Sequence, residues 1–262
     1  MDAPTRRYVL GCIAGVSALA GCASNSTTST QFNQVTTDGT SLVIELETGE
    51  GVDELSIIDP DGAAFSTVET TAGQTRYSVE LGTAYTPGEY EINAIVDEEI
   101  AATTTTALRP DVEITNVGVG ENYPEQMPDS LGQTKDVECY VDVQNTGSGA
   151  TAIQKLSFDG DVPNPTDKDE NGGIYDANSG GGEAKEVIIR PEEEKKIFSS
   201  TLPFSFEGSG VDCESEPKSG EAIVRIGLSN LPETTATYEV KYTGSDSYDG
   251  CTPEIEEDER YA

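Results

Sequence analysis

The chain contains no tryptophan and no histidine, and its 15 lysines and arginines stand against 49 aspartates and glutamates. Without histidine, a serine or cysteine nucleophile lacks the imidazole that usually serves as its base, and zinc held by histidine and cysteine is excluded. The many carboxylates show no local pairing that nominates a general acid and a general base. The chain is therefore expected not to be an enzyme. A formal net charge of −34 leaves no basic patch for a phosphate backbone, which removes nucleic acid as a partner. Helical periodicity is nearly missing, and short apolar and polar alternations take its place.

The N-terminus has a composition of its own. Thr5-Arg6-Arg7-Tyr8-Val9-Leu10 leads into a small apolar run to Ala20, which closes on Leu19-Ala20-Gly21-Cys22. A basic start, an apolar stretch of roughly twelve residues and a small-residue cleavage site are the three parts of a secretory signal. The competing reading, an uncleaved membrane helix, meets a run too short to span a bilayer and broken by Gly11, Gly15 and Ser17. The adjacent Arg6 and Arg7 resemble a twin-arginine export signal. Leu19 to Cys22 resembles the lipobox of lipoproteins, in which the peptide is cut before the cysteine and that thiol then carries the lipid. The resemblance implies a signal peptide over 1–21, lipid attachment at Cys22, and a protein held on the extracellular face of the cell membrane.

After Asp2 the acids run from Asp38 to Glu259 and are not confined to a tail. Such a chain repels itself in dilute buffer, whereas at about 1 M salt the screening length falls to roughly 3 Å. The charge reads as salt adaptation, and with the signal in front the whole resembles a haloarchaeal secreted lipoprotein. The competing reading is a surface for cationic partners or divalent ions.

Of the five cysteines, Cys12 lies in the signal and Cys22 at the anchor. Cys139 alternates with Val137, Val141 and Val143 and is expected to pack in a core. Cys213 and Cys251 lie in polar, turn-rich surroundings of an exported chain, where an oxidised pair is expected, although spacing alone does not fix connectivity.

From Gln31 onward, alternating runs separated by turn residues predict half-buried antiparallel strands. Leu42, Ile44 and Leu46 are expected inward with Val43, Glu45 and Glu47 outward; Tyr77, Val79 and Leu81 inward; and Tyr90, Ile92, Ala94 and Val96 inward. Asp59-Pro60-Asp61-Gly62 and Thr86-Pro87-Gly88-Glu89 carry turn chemistry. A break near Arg109-Pro110 separates a first block, 32–109, from a second, 110–244, preceded by a Ser/Thr-rich linker over 22–31 and followed by an acidic tail over 245–262. Strands are expected near 112–119, 137–143, 153–158, 187–190, 197–206, 222–228 and 237–242. The blocks show no repeat that aligns by eye.

In the first block, Ile57-Ile58-Asp59-Pro60-Asp61-Gly62 and Pro87-Gly88-Glu89-Tyr90-Glu91-Ile92 resemble strand and turn phrases of bacterial and archaeal immunoglobulin-like domains. In the second, Val143-Gln144-Asn145-Thr146-Gly147 and the run from Ile189 to Phe198 are similar to the cell-adhesion-related domain found in bacteria and archaea. The resemblance implies an all-β fold of two immunoglobulin-like antiparallel β-sandwiches in tandem. The second block departs from the adhesion-related pattern by a long acidic insertion over 160–184.

Within that insertion, Asp167, Asp169 and Asn171 at positions 1, 3 and 5, with Gly172 at 6, match the first part of a twelve-residue calcium loop. Asn178 stands at position 12 where a bidentate glutamate is expected, and no helices flank the loop, so a solvated surface loop is the favoured reading. Gly180-Gly181-Gly182 reads as flexible linker, since the spacing of a phosphate loop is absent. Asn25-Ser26-Thr27 is a glycosylation sequon. No other cofactor is expected. The leading expectation is a non-catalytic, lipid-anchored surface protein of a high-salt environment, meeting a surface protein or glycan in adhesion or interaction. A transporter or surface-enzyme accessory lipoprotein, and a calcium-binding module, are the alternatives.

Overall fold

In the computed structural model of the chain the described residues are 31–166, 172–177, 182–206, 213, 218–244 and 250–256. The first sandwich comprises β1 (Phe32–Asp38), β2 (Ser41–Leu46), β3 (Glu54–Ile58), β4 (Ala64–Glu69), β5 (Arg76–Glu80), β6 (Gly88–Val96) and β7 (Glu99–Leu108). One sheet has the order β1-β2-β5 and the other β4-β3-β6-β7, with every pairing antiparallel. Leu42, Ile44, Tyr77 and Val79 from one sheet meet Leu55, Ile57, Tyr90 and Ile92 from the other in one apolar cluster. The period-two alternation read from the sequence is the cause, because it puts one row of each strand on the inner face. Val43, expected outward, is 3% exposed. It sits on the central strand, flanked by Thr36 of β1 and Ser78 of β5, so its neighbours cover it from both sides.

The Asp59 carboxylate accepts the amides of Asp61 (3.0 Å) and Ala63 (2.8 Å), and Gly62 takes φ 81°, which is why this tetrapeptide turns the chain between β3 and β4.

The second sandwich comprises β8 (Val112–Val119), β9 (Cys139–Asn145), β10 (Thr151–Gly160), β11 (Ile174–Asp176), β12 (Gly182–Ala184), β13 (Val187–Ile189), β14 (Glu194–Ser199), β15 (Lys218–Leu228), β16 (Thr234–Gly244) and β17 (Cys251–Glu256). Its sheets have the orders β12-β11-β14-β9-β8 and β13-β10-β15-β16-β17. Removing β11, β12 and β17 leaves β8-β9-β14 facing β13-β10-β15-β16, which is the plan of the first sandwich. In both, the fourth strand joins the third, whereas in constant-type immunoglobulin domains it joins the fifth. Phe158, Phe204, Leu156, Val141 and Val240 lie in its core, with Cys139 among them as a free thiol.

The structure departs from three further expectations. The tail after Gly244 is not tail throughout, because Cys251–Glu256 pairs with β16 as an edge strand. Its alternation of Cys251, Pro253 and Ile255 was hidden among glutamates, and Pro253 is tolerated because the outer side of an edge strand needs no donor. The insertion is not wholly solvated loop: β11 and β12 form a hairpin that extends the sheet beyond β14, and Ile174 is buried. Gly182, read as linker, lies in that hairpin. The strand expected over 197–206 starts and ends earlier, at Glu194–Ser199, and its last aromatics, Phe204 and Phe206, enter the core from a loop.

The two sandwiches touch around Ser148 and Ser229. Ser148 Oγ donates to the Ala107 carbonyl (2.8 Å) and accepts the Arg109 amide (3.2 Å). Ser229 Oγ donates to the Thr83 carbonyl, and Asn230 Nδ2 to that of Tyr85 (3.4 Å). Gly149 permits this approach: a Cβ there would lie 2.0 Å from the Tyr85 hydroxyl oxygen. Gly149→Ala is expected to cost roughly 1–3 kcal/mol through that overlap. Tyr85→Phe, which deletes the opposing oxygen, should recover most of the loss in a thermal melt of the double variant.

Candidate functional site

Strand directions decide where the connections lie. In the first sandwich, β1 starts beside Leu46, at the end where Asp97 and Glu98 turn β6 into β7, and runs toward the contact with Ser148. The chain thus enters at the end remote from the second sandwich. In the second sandwich, the connections near the first are short, spanning 146–150, 190–193 and 229–233. Those at the opposite end, the outer pole, span 120–138, 161–173, 200–217 and 245–250.

The described parts of these outer connections are tied to one another. Cys213 and Cys251 are joined as a disulfide with Cα atoms 5.7 Å apart. Asn122 Nδ2 donates to the Pro253 carbonyl, and Thr252 Oγ1 to Glu121 Oε1 (3.0 Å), so the 120–138 connection is fastened to β17. Tyr242 OH donates to the Asp161 carbonyl (2.6 Å), and Asn164 Nδ2 to that of Leu202 (3.2 Å). The Phe204 amide donates to the Val137 carbonyl (3.2 Å). A pole cross-linked in this way is a set of loops held on a rigid support, the arrangement in which sandwich folds present binding surfaces.

The 120–138 connection also folds back over the outer face of the β8-β9-β14 sheet. Met127 and Leu131 pack on Tyr140, with Tyr175 and Phe198 alongside. Tyr123, 43% exposed, meets Tyr140 edge to face at 5.9 Å between ring centres. Lys196 Nζ lies 3.7 Å from the centre of the Tyr140 ring and 2.6 Å from Asp142 Oδ1. A cation over an aromatic face that is also paired to a carboxylate is fixed in direction, so Lys196 orients this patch. Thr115, Asp142, Glu194, Lys195 and Lys196 line an adjoining cleft of about 420 Å³. Lys195 is itself engaged, donating to the Ile188 carbonyl at 2.7 Å.

Beneath the connection lies Glu138, 4% exposed. Thr134 Oγ1 donates to its Oε1 (2.6 Å), while Oε2 has no partner among the described residues. Burial pushes its carboxyl up to about 7, partly offset by the Thr134 hydrogen bond. Burial also raises the Cys139 thiol well above its ordinary value, so that sulfur is a packing group and not a reactive thiolate. Among the described residues no group of three or more acids or cysteines is gathered as a metal site.

Arg6, Arg7, Cys22, Asn25, Asp167, Asp169, Asn171 and Asn178 lie outside the described residues. Of the sites named from sequence, the structure brings together Cys213 and Cys251. It adds Glu138, Tyr123, Tyr140 and Lys196, which sequence reading missed. The signal available was an uninterrupted stretch between β8 and β9 too long for a hairpin turn and carrying Tyr123, Met127 and Leu131.

No family model matches the chain, and no curated protein matches it. Among solved structures, the chain is similar to a two-domain fibronectin type-III segment from chicken tenascin at 11% identity, over 79% of this chain and 94% of that one, with a TM-score of 0.27. It is similar to the human OSCAR ligand-binding domain at 10% identity, over 76% and 88%, with a TM-score of 0.21. A β-glucuronidase from glycoside hydrolase family 2 matches at 10% identity and a TM-score of 0.25; the comparison covers 83% of this chain but spans only 20% of that enzyme.

Proposed function

We propose that this is a non-catalytic, lipid-anchored cell-surface protein of a high-salt environment that binds another surface component, protein or glycan, through the outer pole of its second sandwich. The observation that carries the reading is directional. The chain enters the first sandwich at the end remote from the second, while the long, cross-linked connections gather at the far end of the second. An anchor at Cys22 holds the entry end toward the membrane and turns the outer pole away from it. Tyr123 supports the reading, because a part-exposed tyrosine on a rigid patch is a residue type enriched at binding hot spots. The acidity spread along the chain suits a surface bathed in concentrated salt, where repulsion is screened within a few ångströms.

The test has two arms. Cys22→Ser is expected to move the protein from the membrane to the medium, and continued membrane retention would count against the anchor. A photo-crosslinking residue at Glu125, exposed on the outer pole, is expected to capture a surface component on intact cells that the same residue at Glu50, near the entry end, does not. Equal capture at both positions, or none at Glu125, overturns the assignment of the pole.

A further inference from the structure

We propose that β7 is a self-association edge, where two copies of the chain pair antiparallel along Ala102–Thr106 about a two-fold axis at Thr104. A strand at the end of a sheet offers unpaired amides and carbonyls to any second strand, and proteins commonly protect such edges with charge, proline, irregularity or brevity. Every other described strand that ends a sheet leaves at most four consecutive residues free of such features. β12 and β13 have three residues each. β5 begins at Arg76 and ends at Glu80, and β17 contains Pro253 and Glu254. β1, β4 and β8 each contain a register shift and an acid, namely Asp38, Glu69 and Glu113.

β7 is different. It is ten residues long, and its register shift against β6 falls at Ala101. From Ala102 to Thr106 it reads Ala-Thr-Thr-Thr-Thr, with no charge and no proline in a chain of net charge −34, and beyond this the Ala107 carbonyl is taken by Ser148 Oγ. Its outward side chains are exposed along that length.

The charges flanking the segment select the partner. Asp97, Glu98 and Glu99 precede it, and Arg109 follows it. Parallel pairing of two copies sets acid beside acid, whereas antiparallel pairing about Thr104 brings Glu99 of each copy to the end occupied by Arg109 of the other. Arg109 and Glu99 are both exposed and belong to no ion pair among the described residues. In this register Thr103 meets Thr105 and Ala102 meets Thr106 across the axis, pairs that strands accommodate well. Ile100, 64% exposed, lies at the same end as Leu108 and Arg109 of the second copy. A self-complementary strand gives a closed two-fold dimer and not an open fibre. The dimer does not depend on the outer pole, which lies on the other sandwich.

Thr105→Cys, treated on intact cells with a short bismaleimide, is expected to give a band of twice the chain mass, whereas Thr67→Cys on β4 is expected to give none. Sedimentation of the full chain carrying Cys22→Ser adds a quantitative arm at fixed salt. Glu99→Lys and Arg109→Glu should each weaken the dimer roughly tenfold, and the double variant should restore it. Thr103→Lys with Thr105→Lys should give a monomer with an unchanged melting temperature. A wild type that sediments as a monomer at every concentration, crosslinking at position 105 no stronger than at 67, or charge variants whose losses add without rescue, overturns the proposal.

Discussion

Cys251→Ser is expected to lower the stability of the second sandwich by about 4 kcal/mol, because the bridge to Cys213 closes a loop of sequence separation 38 and that closure restricts the unfolded chain. For a domain of this size the loss corresponds to a fall in melting temperature of roughly 10–15 °C. The effect should concentrate on β17, an edge strand held by β16 on one side, by Lys241 and Glu256 at 2.6 Å, and by the disulfide at its start. The ion pair is exposed and contributes little. Hydrogen exchange over Cys251–Glu256 is therefore expected to accelerate in the variant. Because Asn122 and Thr252 fasten the 120–138 connection to the same strand, exchange near Asn122 should rise with it. Cys213→Ser combined with Cys251→Ser should cost no more than either alone, since both remove one bridge. A reductant should reproduce the shift in the wild type and leave the variants unmoved; a wild type indifferent to reductant would remove the bridge from this account.

Glu138→Gln is expected to make the protein more stable than the wild type by about 3 kcal/mol above pH 8 and to leave it unchanged near pH 4. Folding raises the Glu138 carboxyl from its ordinary value of 4.5 to about 7, because the buried site disfavours the charged form and the Thr134 hydrogen bond offsets this only in part. The folded state therefore holds a proton that the unfolded state releases. This contribution is fully present below about pH 4.5 and is lost as pH rises through about 7. Glutamine keeps the neutral shape, can accept from Thr134 and does not titrate, so the difference between the two melting curves should open between pH 4.5 and 7 and then level off. Many other carboxylates titrate in that range, and the difference at fixed salt cancels them. Parallel curves at every pH would show that Glu138 is hydrated and ordinary.

The strand pattern was legible because period-two alternation is a local property: Leu42, Ile44, Tyr77, Val79, Tyr90 and Ile92 all occupy the inner faces expected of them. The all-β class followed from the same signal. Where a strand is short or acidic the signal fails. Three-residue segments such as Ile174–Asp176 and Gly182–Ala184 are too brief to show a period, and Cys251–Glu256 alternates only once its glutamates are set aside. These elements are strands because of what they pair with, and pairing partners distant in the chain leave no local mark. Val43 fails for a related reason, since burial of an outer-face residue depends on its neighbours in the central strand.

Of the candidate site, Cys213 and Cys251 could be named from an expected compartment and from their surroundings, and their juxtaposition is now a matter of geometry. Glu138, Tyr140 and Lys196 could not be named. A glutamate, a tyrosine and a lysine are ordinary residues in an acidic chain, and they acquire meaning only when a connection folds over them.

Composition and periodicity alone determined that this is a strand-built, histidine-free and strongly acidic protein, because each of those properties is a sum over residues or a rule about near neighbours. The shared plan of the two sandwiches, the gathering of the long connections of the second at one pole, and the position of β7 at the end of its sheet were decided by tertiary structure. Each depends on which strands lie side by side and in which direction they run, and that information resides in long-range hydrogen bonding between segments whose sequences do not resemble one another.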